Sequence, residues 1–208
     1  MNNPHLEKFL NEQIQIPSPL FNEVRQYALQ RGFPLISDDV GQQLQMFASF
    51  FDSPKILELG SGFGYSAMWF LEGMSKGEIH LCDFTQANLD LAEGYLKKMG
   101  KFSLVKPMYC GNALDYIKNS KSTFDIIFID IDKLFYLDAI KASVEHLTSG
   151  GLIIMDNLFF GGRVYLDDGK KQLGRKSILD AIDFIKQDSR FIVSMIDVGD
   201  GLLLAKLR

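Results

Sequence analysis

Apolar residues in the first fifty positions recur at the three- and four-residue spacing of one helix face. Residues 4–32 and residues 37–51 both carry this spacing, and Pro17 and Pro19 interrupt the first stretch. Because proline lacks an amide hydrogen and clashes with the preceding turn, a helix is expected to break there. The pattern predicts a helical N-terminal region over residues 1–51, divided near the two prolines.

From residue 52 onward the pattern changes to short apolar runs separated by amphipathic stretches. Strands are predicted over residues 55–59, 78–82, 103–110, 124–129, 151–155, 191–196 and 201–205, and helices over residues 66–74, 86–99, 134–147 and 176–187. Strands that alternate with helices predict an α/β fold with a doubly wound, mostly parallel sheet. The last two strands leave no room for a helix between them, so they predict an antiparallel hairpin at the C-terminal edge.

The composition limits the classes of protein to which the chain can belong. Its 208 residues are 47% hydrophobic, which is enough for one buried core and predicts one domain over residues 1–208. A formal net charge of −4 argues against broad nucleic-acid binding. No apolar run reaches membrane-spanning length and the N-terminus lacks a signal-peptide pattern, so we expect no membrane partner and a cytoplasmic location. We expect Cys82 and Cys110 to be reduced.

Four of the predicted strands end in or beside an acidic residue: Glu58, Asp83, Asp130 and Asp156. In open α/β sheets, ligands bind beyond the carboxyl ends of the strands. A single acid at a strand end can be a helix cap or part of a solvated turn. Four acids at four such ends indicate a ligand site.

A glycine-rich turn follows the first predicted strand. Gly60, Gly62 and Gly64 alternate with other residues, and Tyr65 stands where a dinucleotide-binding motif would have its third glycine. Glycines let the backbone turn sharply and approach a ligand closely. Asp83, at the end of the next strand, can accept hydrogen bonds from both ribose hydroxyls of an adenosine-type ligand. The loop is weak support alone, and Asp83 indicates adenosine without identifying the cofactor.

The second acidic group is more specific. Asp130, Asp132 and Lys133 follow one predicted strand, and Asp156 and Asn157 follow the next. Neighbouring strands lie about 5 Å apart, so their end residues can converge. Asp130, Asp156 and Asn157 would then offer three oxygen ligands, a set that suits Mg²⁺, or else Mn²⁺ or Ca²⁺, rather than Zn²⁺.

Three segments, FIDIDKLFYLDAI, GGLIIMDNLFFGGRV and DVGDGLLLAKLR, resemble the cation-dependent class I S-adenosylmethionine O-methyltransferases of the catechol and caffeoyl-CoA type. The resemblance covers nearly the whole chain. It implies that Asp130, Asp156 and Asn157 are the metal ligands, that Lys133 is the catalytic residue, and that Asp132 lies near the metal. The cofactor-binding residues that it implies are Glu58, Gly60, Ser61, Gly62, Tyr65, Ser66, Asp83, Asn112, Ala113 and Asp130.

The chain departs from the family pattern at several positions. Asn112 replaces the aspartate of a Gly-Asp-Ala motif, and its amide oxygen can still accept a hydrogen bond from the adenine amino group. Ile131 replaces an alanine, and residues 38–41 read Asp-Asp-Val-Gly instead of Pro-Glu-Gln-Gly. The polar segment 163–175 predicts a mobile surface loop. These differences affect the expected substrate and leave the expected reaction unchanged.

Three functions remain open from the sequence. The first is a methyltransferase acting on a phenolic or catechol-like small molecule. The second is an RNA-modifying enzyme acting on a hydroxylated tRNA base, for which the basic residues Lys170, Lys171, Arg175 and Lys176 would form the contact. The third is a non-catalytic S-adenosylmethionine-binding module. The apolar N-terminal helices and the resemblance also predict a homodimer.

Overall fold

The computed structural model describes residues 4–166 and 173–208. Three helices form the N-terminal region: α1 (Pro4–Gln13), α2 (Pro19–Gln30) and α3 (Asp38–Ser49). The predicted break is confirmed, because α1 ends before Pro17 and α2 begins at Pro19, where a proline ring fits the first turn.

Seven strands form one sheet in the order β3-β2-β1-β4-β5-β7-β6. Their bounds are β1 (Lys55–Leu59), β2 (Glu78–Asp83), β3 (Val105–Cys110), β4 (Phe124–Ile129), β5 (Leu147–Met155), β6 (Phe191–Ile196) and β7 (Leu202–Leu207). Strands β1 to β5 are parallel, and β7 pairs antiparallel with both β5 and β6. The predicted fold class and its antiparallel C-terminal hairpin are confirmed, with β6 at the edge of the sheet.

Five further helices cover the two faces of the sheet: α4 (Tyr65–Glu72), α5 (Gln86–Lys98), α6 (Ala113–Asn119), α7 (Tyr136–Glu145) and α8 (Leu173–Gln187). Alternate strand residues enter different cores. Ile56 and Phe128 pack with helices α2 to α5, whereas Leu57 and Ile129 pack with α6, α7 and α8. Burial on both faces is the pattern of a doubly wound sheet.

Three differences from the prediction exceed two residues. Helix α6 was not predicted, because seven residues are too few for a clear period; the Asn112 side chain caps it by accepting the Leu114 N–H at 2.8 Å. Residue 147 was predicted to end a helix but pairs with Phe124 at the start of β5. Helix α8 starts at Leu173, inside the predicted loop 163–175, and residues 167–172 of that loop lie outside the described residues.

Both cysteines are free thiols, as predicted, with Cys82 buried in β2 and Cys110 exposed at the end of β3. Within the described ranges, no helix is long and apolar enough to cross a membrane. The five parallel strands carry their carboxyl ends to one edge of the sheet, and the acidic residues predicted from the sequence meet there.

Candidate active site

A cavity of about 650 Å³ opens at the carboxyl ends of β1, β2 and β4. Its walls include most of the predicted cofactor residues: Gly60, Ser61, Gly62, Tyr65, Ser66, Asp83, Ala113 and Asp130. Residues 33–36, which lie between α2 and α3, also line it. We refer to this space as the glycine-loop cavity.

The glycine turn needs glycine for close backbone approach. Gly60 has φ +95°, and a Cβ atom there would lie 2.1 Å from the backbone oxygen of Asp130. A Cβ atom at Gly62 would lie 2.9 Å from the ring of Phe33. The missing side chains therefore let the β1 turn lie directly against the end of β4 and against the 33–36 segment.

Ser61 and Ser66 present the hydroxyl groups of this turn. Ser61 is 4% exposed and its Oγ has no hydrogen-bond partner within the described part of the chain, although the residue lines the cavity. Ser66 Oγ donates to a carboxylate oxygen of Glu58, which is fully buried behind the turn and is not a lining residue. Burial raises the pKa of Glu58 to about 8. Glu58 therefore supports the turn from below.

Tyr65 points away from the turn toward the N-terminal helices. Its hydroxyl donates to Asp38, and Asp38 also pairs with Arg25 of α2. Burial is the main cause that raises the pKa of the Tyr65 hydroxyl, and the hydrogen bond to Asp38 adds to it. This chain of contacts fixes α2 and α3 beside the cavity.

Asp83 is held by three protein donors. One carboxylate oxygen accepts the Gly62 N–H at 3.0 Å, and the other accepts the Thr85 N–H at 2.8 Å and the Asn88 side-chain amide at 3.0 Å. A carboxylate offers about four acceptor positions, so one remains for a ligand hydroxyl in this arrangement. Asn112 is occupied as the α6 cap and is absent from the lining residues, whereas Ala113 lines the cavity.

A second cavity, of about 270 Å³, adjoins the first and shares Asp130 and Lys133 with it. Asp156 and Asn157 of the predicted metal set also line it, as does Asp200, which was not predicted. The end of β4 supplies Asp130, and the end of β5 supplies Asp156 and Asn157. We refer to this space as the acidic cavity.

The carboxylates of the acidic cavity are only partly compensated. Lys133 Nζ lies 3.5 Å from a carboxylate oxygen of Asp130 and 3.4 Å from the backbone oxygen of Ile131. Asp156 is 3% exposed, and its Oδ1 is buried with no hydrogen-bond partner among residues 4–166 and 173–208. Burial is the main cause that raises the pKa of Asp130 and that of Asp156. Repulsion by the Asp130 carboxylate also raises the pKa of Asp156.

These features fit a hard divalent cation. The donors are carboxylate and amide oxygens, and one carboxylate oxygen is buried without a partner. Asn157 has φ +51°, a conformation that asparagine tolerates better than most residues and that often marks functional positions. No three histidine, cysteine, aspartate or glutamate side chains of the described chain converge as metal ligands. The predicted set contains two carboxylates and requires Asn157 as its third ligand.

Asp132, which the resemblance places near the metal, has a capping contact of its own. Its side chain accepts the Leu134 N–H at 3.0 Å and so caps a 3-10 turn, Lys133–Phe135. It is exposed and lines the glycine-loop cavity but not the acidic cavity.

Several lining residues were not identified from the sequence. They include Phe33, Pro34, Leu35, Ile36, Phe84, Phe160 and Asp200. Most of these are apolar and come from connecting segments, where no periodicity marks them. Asp200 lies in DVGDGLLLAKLR, one of the three segments that carry the resemblance, and this was a usable signal.

The predicted basic run is only partly described. Lys170 and Lys171 lie outside the described residues. Lys176 is exposed and pairs with Asp180, and neither it nor Arg175 lines either cavity. Within the described chain, Lys133 is the only lysine or arginine that lines the two cavities.

A doubly wound sheet with a glycine turn at β1 and an acid at the end of β2 is the arrangement of α/β proteins that bind an adenosine-type cofactor. A family model described as O-methyltransferase matches residues 13–208, and the chain belongs to this family of S-adenosylmethionine-dependent enzymes. Family membership makes the chain an enzyme rather than a non-catalytic binding module.

Other proteins are similar in sequence or in fold. A Mycobacterium tuberculosis protein named "Probable O-methyltransferase" is 26% identical over 203 residues, which are 97% of this chain and 88% of that protein. The fold matches that of TomG from Streptomyces achromogenes, an O-methyltransferase of tomaymycin synthesis solved with S-adenosylmethionine, with a TM-score of 0.88, 20% identity and coverage of 100% and 99% of the two chains. A Bacillus cereus O-methyltransferase solved with S-adenosylhomocysteine gives a TM-score of 0.87, 23% identity and coverage of 98% and 97%.

Proposed function

We propose that the protein transfers the methyl group of S-adenosylmethionine to a hydroxyl oxygen of a catechol-like small molecule, with the help of a divalent cation such as Mg²⁺, Mn²⁺ or Ca²⁺. The observation that carries the proposal is the adjacency of the two cavities. Asp130 and Lys133 line both, so a group bound by the glycine turn and an acceptor in the acidic cavity would meet between them.

The glycine-loop cavity is proposed to hold the cofactor. Ser61 supports this, because its buried hydroxyl lines the cavity without a protein partner and can bond to a ligand. The remaining acceptor position of Asp83 suits one ribose hydroxyl. The cofactor bound to the Streptomyces enzyme of the same fold is consistent with this placement.

The acidic cavity is proposed to hold the cation and the acceptor. Asp130, Asp156 and Asn157 would be its ligands. A divalent cation held there would lower the pKa of an acceptor hydroxyl and engage two neighbouring oxygens.

Lys133 is proposed to be the catalytic residue. Its side chain lines both cavities, beside the place where the acceptor hydroxyl would face the methyl group. After its ammonium group has released one proton to solvent, the neutral amine would take the hydroxyl proton. Gly174 of α8 packs closely on the Lys133 side chain, since a Cβ atom there would lie 3.1 Å from Lys133 Cβ. Residues 34–36 line both cavities, and their apolar side chains would help to exclude water from the reacting groups.

The test compares kcat/KM for a catechol with that for its monohydroxy analogue, with Mg²⁺ present. A site that engages two adjacent oxygens should prefer the catechol by up to about 10⁴-fold, because the analogue leaves one polar position unpaired. Equal rates would rule out engagement of two oxygens. Bulk tRNA is included as a third acceptor, and methylation of tRNA alone would assign the protein to RNA modification instead.

We also propose that the enzyme is a homodimer. The support is an apolar surface on the N-terminal helices: Phe9 and Leu10 of α1 are 57% and 54% exposed, and Leu29 of α2 is 71% exposed. Light scattering at micromolar concentration should give twice the chain mass, and the Phe9→Ser/Leu10→Ser double variant should shift the mass toward one chain. A monomeric mass for the unmodified protein would contradict the dimer. The cytoplasmic location stays a prediction.

A further inference from the structure

We propose that Asp200 selects the acceptor by charge, favouring a molecule with an ammonium group near its reacting ring over one with a carboxylate or phosphate. This inference rests on the proposed function, because it concerns the acceptor of the same site. Asp200 lies in the turn between β6 and β7, and it lines the acidic cavity together with Lys133, Asp156 and Asn157.

The Asp200 carboxylate is fixed in place by backbone contacts. Both of its oxygens lie within hydrogen-bond distance of the Gly161 N–H, at 2.9 and 3.0 Å. The Asp200 backbone oxygen accepts the Phe159 N–H at 2.8 Å, and the next residue, Gly201, accepts the Leu158 N–H at 2.9 Å. The carboxylate is therefore held at the wall of the cavity by the turn that follows β5.

The charge of Asp200 is not cancelled by a neighbouring cation. No lysine or arginine of the described chain forms an ion pair with Asp200. The Lys133 amine forms its ion pair with Asp130, at 3.5 Å. The proposed cation would offset Asp130 and Asp156. Asp200 would then be the carboxylate of the acidic cavity that belongs neither to the proposed metal ligands nor to an ion pair within the described chain, so its local charge would act on the acceptor.

Apart from Lys133, the described cationic side chains near the site, which are Arg163, Arg175 and Lys176, line neither cavity. Arg163 stacks over the Phe160 ring at 4.9 Å and donates to its backbone oxygen, while Lys176 pairs with Asp180. An anionic acceptor chain would thus meet Asp200 inside the acidic cavity without a matching cation other than Lys133. An ammonium chain would meet an uncompensated carboxylate.

The experiment uses three acceptors with the same catechol ring and a short chain that ends in an ammonium, a carboxylate or an uncharged ethyl group. Because Asp200 is partly solvent-screened, kcat/KM should favour the ammonium over the carboxylate by about 3- to 10-fold, and the ratio should fall as salt rises. Dissociation constants of the three compounds, measured by calorimetry with S-adenosylhomocysteine so that no turnover occurs, should follow the same order.

Two variants assign the effect to Asp200. Asp200→Asn retains an oxygen for the Gly161 N–H and should bring the ammonium-to-carboxylate ratio close to one. Asp197→Asn makes the same charge change in the same turn, at an exposed residue that lines neither cavity, and should leave the ratio unchanged. A purely structural role of Asp200 would lower all three rates equally and leave the ratio intact.

The outcomes are distinguishable. A carboxylate preference, an unchanged ratio in Asp200→Asn, or a ratio that does not respond to salt in the unmodified protein would overturn the charge selection while leaving the methyltransferase function standing. Absence of methyl transfer to all three catechols would instead reject the proposed function. If Asp200→Asn fails to fold, Asp200→Ser, which also removes the charge, takes its place in the same comparison.

Discussion

The glycine-loop cavity and the acidic cavity share Asp130 and Lys133 but differ in how their acids are paired. In the first, the Asp83 carboxylate accepts hydrogen bonds from three protein donors, over distances of 2.8 to 3.0 Å. In the second, Asp156 keeps one buried oxygen without a partner in the described part of the chain, and Asp130 reaches Lys133 only at 3.5 Å.

This difference separates a site whose acid is held by protein donors from one whose acids lack such donors. Asp83 anchors the glycine turn through the Gly62 N–H, and the unpaired group of the glycine-loop cavity is the neutral hydroxyl of Ser61 within the described chain. Burial of two neighbouring carboxylates is costly unless a positive charge offsets it. The acidic cavity is therefore the part whose stability and activity we expect to depend on an added cation.

The largest expected effect is the loss of turnover on removal of divalent metal. In EDTA, methyl transfer should fall to background, whereas the affinity for S-adenosylmethionine should change little, because the glycine turn and Asp83 do not need the cation. Calorimetry for the cofactor and an activity assay measure the two properties separately. A rise in Tm on addition of Mg²⁺ would be an independent sign of binding. Full activity in EDTA would show that the comparison between the cavities is wrong.

The next effect concerns Lys133. Lys133→Met should lower kcat by about 10² to 10⁴-fold, the usual contribution of a positioned acid or base, with cofactor affinity nearly unchanged. Lys176→Met is the matched control, because Lys176 is exposed and lines neither cavity. If the two variants retain similar kcat values, Lys133 is not the catalytic residue.

Much of this comparison could be predicted from the sequence, for a physical reason. Strand periodicity locates the strand ends, and parallel strands present their carboxyl ends at one edge of the sheet. These two observations were enough to predict that Asp130, Asp156 and Asn157 lie together. The fold was predicted in the same way, because the apolar runs of β1, β2 and β4 are buried on both faces.

Other features depend on contacts that sequence spacing does not encode. The capping role of Asn112 arises from a helix too short to predict, and the position of Asp132 arises from a 3-10 turn. The 33–36 segment lines both cavities only because Tyr65, Asp38 and Arg25 hold the N-terminal helices beside them. Such long-range packing becomes visible only in three dimensions.

A smaller effect is expected for Asp83. Asp83→Ala should weaken cofactor binding. Each hydrogen bond that the cofactor loses to this charged acceptor should cost up to about 1.5–3 kcal/mol of binding free energy. Because Asp83 also holds the glycine turn through Gly62, part of the loss would be structural. Asn88→Ala removes one of the three donors and leaves the carboxylate, so it should affect the affinity much less. Calorimetry with S-adenosylhomocysteine measures both, and an unchanged affinity in Asp83→Ala would reject the ribose role.

The smallest effect is a pH dependence of stability that originates behind the glycine turn. Glu58 is fully buried, and burial raises its pKa from 4.5 to about 8. Between these values the folded protein keeps the proton and the unfolded chain releases it, so the folded state binds more protons. The Glu58 contribution to the free energy of unfolding is therefore present below pH 4.5 and is lost as the pH rises toward 8, by up to about 1.4 kcal/mol per pH unit.

Replacing Glu58 with glutamine isolates that contribution. Glutamine keeps the shape and an acceptor for Ser66 Oγ but cannot ionise. Urea unfolding in EDTA at pH 5.5 and pH 7.5 should show the Glu58→Gln variant gaining up to about 2–3 kcal/mol relative to the unmodified protein over this interval. Asp156 titrates in the same sense, with its pKa raised to about 7, but it is present in both proteins and cancels in the difference. If the difference in unfolding free energy between the two proteins does not change with pH, Glu58 is ionised in the folded protein. The glycine turn would then lie next to a buried, uncompensated carboxylate, as the acidic cavity does.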